Sequence, residues 1–310
     1  TRANAAFASQ PVLQAVDDLG TLDTSFAGSV TLVIKSGTGT AGATLGGTAT
    51  VSAVAGVASF SGLNIDYVGK DYKLAASATG LASADSSAFN ITADRLVVTS
   101  SPANPTAAGA PLAITVAARD GANHTDTTFG GTIGLSIGTN PTGDTLHGST
   151  SKSAIAGIAS FGGANEASIF KAGVGYTLGA SSTGLTSDTS AAFDVTGQPA
   201  STLVFSSSPS NSTAGVAFAT QPSVSVRDAY GNTDTSFTGA VTVAITSGTG
   251  AAGATLAGTA TVNAVAGVAD FSGLNIVKAS SGYKLTASAT GLTSGNSDAF
   301  TIAADIATEL

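Results

Sequence analysis

Three copies of one unit make up nearly the whole chain, and this repetition limits the fold more than any other feature of the sequence. Four aromatic landmarks return in the same order in each copy. Successive copies of a landmark lie 101 residues apart at the closest, from Phe60 to Phe161, and 110 apart at the widest, from Phe161 to Phe271. This period is the length of a small domain and far exceeds the roughly 20–50 residues of a solenoid repeat. The landmarks are Phe26, Phe129 and Phe237; Phe60, Phe161 and Phe271; Tyr72, Tyr176 and Tyr283; and Phe89, Phe193 and Phe300.

Within each copy, apolar residues alternate with small or polar residues, which is the two-residue period of a β-strand. Residues 241–245 read VTVAI, and residues 30–34 and 133–137 show the same alternation. Clusters of Gly, Ser, Asn and Asp separate these runs, and no stretch keeps a helical period beyond about two turns. The sequence therefore predicts an all-β fold of tandem Ig-like Greek-key β-sandwiches with about seven strands each.

The repeats set the predicted domain boundaries. Repeat 1 spans residues 1–93, the divergent repeat 2 spans 94–198, repeat 3 spans 199–304, and residues 305–310 begin a further repeat or form an exchanged tail. Because Thr1 aligns with Ser212, repeat 1 lacks a first strand to match LVFSSSPSN in repeat 3.

Two explanations of the missing strand stay open. The chain is either a window of a longer array, or another chain supplies the strand by pairing with the open sheet edge. The longer array is favoured, because Ile306 and Leu310 are the only strongly apolar residues of the tail.

Composition argues for an extracellular or cell-surface protein and against several partners. Charged residues make up 10% of the chain, against about 25% in a typical soluble protein, and Ser, Thr, Gly and Ala replace them. The net charge is −8, and the 11 Lys and Arg residues are scattered singly, so binding to nucleic acid or to an anionic membrane is disfavoured. No apolar run approaches the roughly 18 residues of a membrane span. The absence of Cys excludes disulfides and thiolate metal sites.

An Asp-rich turn precedes the first landmark of each repeat. The three turns read VDDLGTLDTSF (16–26), RDGANHTDTTF (119–129) and RDAYGNTDTSF (227–237). Their oxygen atoms could hold Ca²⁺, which prefers six to eight oxygen ligands. A β-turn is favoured instead, because Asn123 replaces Gly in repeat 2, and Asn tolerates the positive φ of such a turn. No cofactor is expected beyond this calcium alternative.

A Gly-rich motif follows in each repeat, reading AVAGVASFSGLNI (53–65), AIAGIASFGGANE (154–166) and AVAGVADFSGLNI (264–276). No helix follows it, so a phosphate-binding loop is excluded. The pattern instead predicts a turn between strands, where positive φ or close packing requires Gly. The Tyr landmark further along predicts either a tyrosine corner, with its hydroxyl bonded to backbone, or a plain core aromatic.

No catalytic, cofactor-binding or metal-binding residue is predicted, and the chain is not expected to be an enzyme. The two His residues, His124 and His147, both lie in repeat 2 and have no counterpart in the other repeats. The two Glu residues, Glu166 and Glu309, are far apart in sequence. Ser and Asp are so abundant that their presence near a His carries no weight for a catalytic triad.

These motifs together resemble bacterial immunoglobulin-like surface repeats of the invasin and intimin type, which occur in adhesin, surface-layer and filament proteins. The matching residues in repeat 3 are Asp228, Gly231 and Asn232; Phe237, Gly239 and Val241; Gly267, Val268 and Phe271; and Tyr283, Leu285 and Gly291. The resemblance implies a non-catalytic structural or adhesive module that forms a rod, filament or surface layer. Its implied partners are neighbouring repeats or other copies, and glycans or cell-wall components.

Two alternative functions remain open. Repeat 2 could bind a carbohydrate or a receptor through its divergent loops, 138–153 and 162–175. A binding site of this kind needs exposed aromatic residues, and Phe170 is the only one in these loops. Alternatively, the chain could be the spacer region of a larger secreted enzyme.

Overall fold

The computed structural model describes residues 1–305. These residues form β-strands, turns and irregular segments without a helix, which confirms the predicted all-β class. In the described range there is accordingly no helix long and apolar enough to cross a membrane. Residues 306–310, in which a further repeat or an exchanged tail was expected, lie outside the described residues.

The chain divides into two compact units. Unit 1 comprises Thr1–Asn104, Pro111–Ser168 and Gly175–Phe193, and unit 2 comprises Pro105–Ala110, Ile169–Val174 and Asp194–Leu310. The division passes through repeat 2. The contacts described below between repeats 1 and 2 lie within unit 1, and those between repeats 2 and 3 lie within unit 2.

Repeat 1 contains ten short strands. The largest sheet has the order β4-β2-β8-β9, and β1 pairs only with β5. Three pairs, β1–β5, β10–β7 and β3–β6, are antiparallel. The strands are β1 (Val12–Gln14), β2 (Ser29–Ile34), β3 (Leu45–Gly46), β4 (Thr50–Ser52), β5 (Val57–Ser59), β6 (Asn64–Ile65), β7 (Gly69–Tyr72), β8 (Leu74–Ala78), β9 (Ala84–Asp85) and β10 (Phe89–Ile91).

Repeat 2 has the same four-stranded sheet, in the order β15-β14-β18-β19. It also has a first strand, β11, which pairs with β13 and so forms the three-stranded sheet β11-β13-β16. Within unit 2, β12 runs parallel to β20. The strands are β11 (Arg95–Ser100), β12 (Thr106–Ala107), β13 (Thr115–Arg119), β14 (Thr132–Ile137), β15 (Ser151–Ser153), β16 (Ile158–Ser160), β17 (Gly173–Tyr176), β18 (Leu178–Ser181), β19 (Asp188–Thr189) and β20 (Phe193–Thr196).

Repeat 3 has the sheets β26-β24-β30-β31, β21-β23-β27, β22-β32-β29 and β25-β28. The strands are β21 (Thr202–Ser207), β22 (Ser212–Thr213), β23 (Ser223–Arg227), β24 (Ala240–Ile245), β25 (Leu256–Ala257), β26 (Thr261–Asn263), β27 (Val268–Asp270), β28 (Asn275–Ile276), β29 (Ser280–Tyr283), β30 (Leu285–Ser288), β31 (Gly295–Asn296) and β32 (Phe300–Ala303). The repeats therefore carry ten to twelve short strands rather than about seven, because turns and bends such as the one at Gly273 interrupt the chain.

Alternation along the strands builds the core of each repeat. Val241 and Val243 of β24 are buried, and their counterparts Val30 and Leu32 are buried in repeat 1. Thr242 and Thr261 lie on the opposite face and hydrogen-bond across β24 and β26 at 2.9 Å. Aliphatic side chains and a few aromatic rings thus form the core of each repeat.

The Tyr landmarks form tyrosine corners in repeats 1 and 3. The Tyr72 hydroxyl donates to the carbonyl oxygen of Tyr67 at 3.0 Å, and the Tyr283 hydroxyl donates to that of Lys278 at 2.9 Å. In repeat 2 the Tyr176 hydroxyl instead hydrogen-bonds to the side chain of Thr142. All three rings are buried, so each hydroxyl needs the partner that it has.

The Gly-rich motif forms a tight hairpin turn in each repeat. Ala266 and Gly267 both have positive φ, 48° and 76°, and Val265 pairs with Val268 across them. A Cβ atom on Gly267 would lie 2.3 Å from the carbonyl oxygen of Asp234. Both predicted reasons for Gly are therefore confirmed, and the motif packs directly on the Asp-rich turn.

Candidate functional site

The Asp-rich turns are closed by the first Asp of each turn. One oxygen of Asp228 accepts hydrogen bonds from the N–H groups of Tyr230 and Asn232, at 2.8 and 2.9 Å. Asp17 and Asp120 make the same pair of bonds in their own turns. Asn123 has φ of 69°, close to the 81° and 83° of the equivalent Gly20 and Gly231. The β-turn prediction is confirmed.

In repeat 2, the carboxylates of this turn also bind backbone of repeat 1. The second oxygen of Asp120 accepts the N–H of Val68 at 2.9 Å. The second oxygen of Asp126 accepts the N–H of Ala93, also at 2.9 Å. Both Asp side chains are buried, so these charged acceptors replace water for the N–H groups that they cover.

In repeat 3, the equivalent carboxylates bind the segment that enters from repeat 2. Asp228 Oδ2 accepts the N–H of Gln198 at 2.9 Å, and Asp234 Oδ2 accepts the N–H of Ala200 at 3.2 Å. Ala93 and Ala200 each stand three residues before the buried Leu of the next first strand. The second Asp of the turn therefore holds the same linker position at both junctions.

Side chains around the turn add contacts that differ between the junctions. In unit 1, the His124 ring lies on Tyr67 with 4.3 Å between ring centroids. In unit 2, Asn232 donates to the carbonyl oxygen of Phe170 and accepts the N–H of Ala172, both at 2.8 Å.

Phe170 also lies against Tyr230, with 4.5 Å between the ring centroids. The one aromatic residue of the divergent loops is thus part of a junction rather than an exposed stacking platform. Its partner could not be identified from the sequence, because Tyr230 lies in a turn of a different repeat.

Hydrogen bonding lowers the pKa of several turn carboxylates. Burial alone would raise the pKa of Asp228, but hydrogen bonds from the Asn232 side chain and from the backbone N–H groups of Gln198, Asn232 and Tyr230 lower it. For Asp234, the main cause of the lowered pKa is the hydrogen bond from the Ser236 hydroxyl; burial opposes this, and N–H groups including that of Ala200 add to it. Both carboxylates are therefore held in the charged form that accepts from the linker.

The corresponding turn of repeat 1 is exposed. Asp17 and Asp23 make their local bonds, but within residues 1–305 no N–H of another repeat is recorded on their second oxygens. Leu19, at the position of Tyr230, is 91% exposed. No repeat precedes this turn within the described residues.

An open groove lies in the same repeat. In repeat 3, β21 pairs with β23, and Leu203 of β21 is buried. The strand of repeat 1 that corresponds to β23 is β1, and within the described residues β1 pairs only with β5, so its other edge is open. The apolar cavity beside β1 is lined by residues that include Leu13, Ala76, Leu81 and Ala84.

His124, His147 and Glu166 also make polar contacts within repeat 2. The Nδ1 atom of His124 lies 2.9 Å from Asp120 Oδ2, and Nε2 of His147 lies 3.4 Å from Asp144. Glu166 accepts from Lys152 and from the N–H groups of Gly162 and Gly163, which lowers its pKa to about 2. Among residues 1–305, no three His, Cys, Asp or Glu side chains are grouped to hold a metal ion.

No protein-family model and no curated protein matches the chain. Similar solved structures include FdeC, an adhesin of Escherichia coli, which is 16% identical at a TM-score of 0.34, with 95% of this chain and 88% of FdeC covered. Invasin, a bacterial integrin-binding protein, is 14% identical at a TM-score of 0.32, with 98% and 58% covered. Domains 4–9 of the surface layer protein SbsC are 16% identical at a TM-score of 0.26, with 94% and 42% covered.

The chain thus spans less than two thirds of the invasin and SbsC structures. Adhesins and a surface layer protein are the class that the sequence motifs resemble, and β-glycosidases are also among the matches. Similarity of this size is too low to transfer a partner or an activity to this chain.

Proposed function

We propose that this chain is a structural or adhesive segment of an extracellular protein, in which the junctions between Ig-like repeats are held fixed. The proposal rests on the observation that each of two turn carboxylates accepts hydrogen bonds from two separate segments. Asp126 and Asp234 each bind their own turn with one oxygen and the linker from the preceding repeat with the other. A turn that binds the linker of the preceding repeat in this way couples adjacent repeats of an array.

The chemistry of the junctions supports a mechanical role rather than a catalytic one. The charged acceptors face backbone N–H groups, so the contact depends little on the side chains of the preceding repeat. The first Asp of the turn can therefore accept the N–H of two different residues, Val68 in repeat 1 and Gln198 at the end of repeat 2. A surface poor in charge and rich in Ser and Thr supports an extracellular location.

The test replaces the second Asp at both junctions, in the variant Asp126→Asn with Asp234→Asn. Small-angle X-ray scattering of the full chain at low concentration is expected to show a broader distribution of interatomic distances than in the wild type. The amide retains an oxygen for the local turn but loses the charge that strengthens the bond to the linker.

Asp23→Asn is the matched control. It changes the same turn in repeat 1, where the described chain has no preceding repeat, so the distance distribution is expected to stay as in the wild type. If the double variant and the control scatter identically, the proposed junction role is wrong.

A further inference from the structure

The Asp-rich turn of repeat 1, on which no contact with another repeat is recorded within residues 1–305, has the same sequence positions as the turns at the two internal junctions. We name Asp17, Leu19, Thr21 and Asp23 the head face; their counterparts in repeat 3 are Asp228, Tyr230, Asn232 and Asp234. In repeat 3, Asp228, Tyr230 and Asn232 contact residues of repeat 2, and Asp234 binds Ala200 in the linker between the two repeats. In repeat 1 all four are exposed or partly exposed, with Leu19 at 91%.

A complementary surface exists on repeat 3. Aligning Tyr176 with Tyr283 places Val277, Lys278 and Ala279 at the positions of Phe170, Lys171 and Ala172, and we name these three residues the tail face. Phe170 and Ala172 are the residues that contact Tyr230 and Asn232 at the internal junction. Val277 is 57% exposed, and both Lys278 and Ala279 are exposed.

We propose that the head face of repeat 1 binds the tail face of repeat 3 in a second copy of this chain, so that copies associate head to tail. The inference rests on the junction geometry used in the proposed function. An exposed apolar residue stands at each of the two positions that stack in the internal junction, Leu19 on the head and Val277 on the tail. Burying two exposed aliphatic side chains against each other is favourable.

Polar groups on the two faces also match. Asp17 and Asp23 offer carboxylate oxygens, and the equivalent oxygens of Asp120 and Asp126 accept backbone N–H groups at the junction in unit 1. Ala279 offers an N–H at the position of Val68 and Ala172, both of which donate across a junction. Lys278 beside it stands at the position of Tyr67, whose ring lies on His124, the counterpart of Thr21. A head-to-tail contact of this type does not close on itself, so it extends into a chain of copies.

The test is sedimentation velocity of the full chain over a range of concentrations, with two face variants. The wild type is expected to form larger species as its concentration rises. Leu19→Asp and Val277→Asp are each expected to remain monomeric, because each places an unpaired carboxylate in the contact. Both sites are exposed, so thermal unfolding is expected to show that each variant is folded like the wild type.

A mixture of the two variants tests directly whether a head face binds a tail face. The Leu19→Asp chain keeps an intact tail and the Val277→Asp chain keeps an intact head, so an equimolar mixture is expected to form dimers and nothing larger. Val265→Asp is the control, since Val265 is 77% exposed on repeat 3 but lies outside both faces, and it is expected to associate like the wild type.

The proposal is overturned if the wild type stays monomeric at every concentration, as expected when only a covalently preceding repeat covers the head face. It is also overturned if the two face variants associate like Val265→Asp. Either result leaves the scattering test of the internal junctions intact, because that test concerns contacts within one chain.

Discussion

The carboxylate of Asp126 accepts a hydrogen bond from the backbone N–H of Ala93, 2.9 Å away, and so ties a turn of repeat 2 to the linker that leaves repeat 1. The same Asp holds its own turn through the N–H and hydroxyl of Thr128. One buried side chain therefore couples the folding of a turn to the placement of the neighbouring repeat.

Loss of this carboxylate is expected to destabilise the chain. Asp126→Ala should lower the free energy of unfolding by about 1.5–3 kcal/mol, since hydrogen bonds to a charged group are lost and buried N–H groups are left unpaired. Asp23→Ala removes the same turn contacts without a junction and should cost less. Urea unfolding of both variants measures the difference, and equal losses would show that the Ala93 contact contributes nothing.

The glycine of the repeated hairpin is expected to be irreplaceable for two separate reasons. Gly267→Ala adds the strain of positive φ, about 1–2 kcal/mol, and also a Cβ atom 2.3 Å from the Asp234 carbonyl oxygen. Gly273→Ala is the matched control, because its φ of 67° is similar but no atom lies within 4 Å of the added Cβ. Thermal unfolding should show the larger loss for Gly267→Ala. Equal losses would mean that the turn relaxes away from Asp234.

How far the sequence predicts the fold depends on whether a feature is local. The positive φ of Asn123 and of Gly56 follows from residue chemistry at a turn, and the buried Tyr283 follows from its place at the start of a strand. The hydrogen bond from the Ala93 N–H to Asp126 could not be predicted in the same way. It depends on how two repeats meet, and the turn alone satisfies only one of the two carboxylate oxygens.

The lowered pKa of Glu166 makes one loop of repeat 2 sensitive to acid. Its folded-state pKa of about 2 lies below the ordinary value of 4.5, so its stabilising effect is complete above pH 4.5 and is lost as the pH falls towards about 2. Glu166→Gln cannot ionise, so the variant should lose less stability than the wild type over this interval. Unfolding midpoints measured across it test this, and parallel curves for the two proteins would contradict it.

Calcium is expected to leave the stability of the chain unchanged. The turn carboxylates Asp120, Asp126, Asp228 and Asp234 already accept N–H or hydroxyl groups on both oxygens, and a cation would have to displace these donors. Thermal unfolding with excess Ca²⁺ and with a chelator should give the same midpoint. A midpoint raised by Ca²⁺ and restored by the chelator would establish the calcium alternative, and its loss in Asp17→Asn would place the site in repeat 1.

The groove of repeat 1 is expected to accept a first strand supplied in trans. In repeat 3, Leu203 and Phe205 of the first strand pair with Val226 and Val224. The counterparts of these two partners in repeat 1 are Ala15 and Leu13, at the open edge of β1. A peptide of sequence STLVFSSS, copied from residues 201–208, should therefore pair with β1 and place its Leu in the cavity lined by Leu13, Ala76, Leu81 and Ala84.

Binding of that peptide to the folded chain should raise the unfolding midpoint with peptide concentration. A peptide with Asp in place of its Leu should have no effect, because the cavity would have to bury an unpaired charge. Ala82→Arg places a long side chain at the rim of the same cavity and should abolish the response without a change of the core. If that variant responds like the wild type, the peptide binds elsewhere and β1 is not its partner.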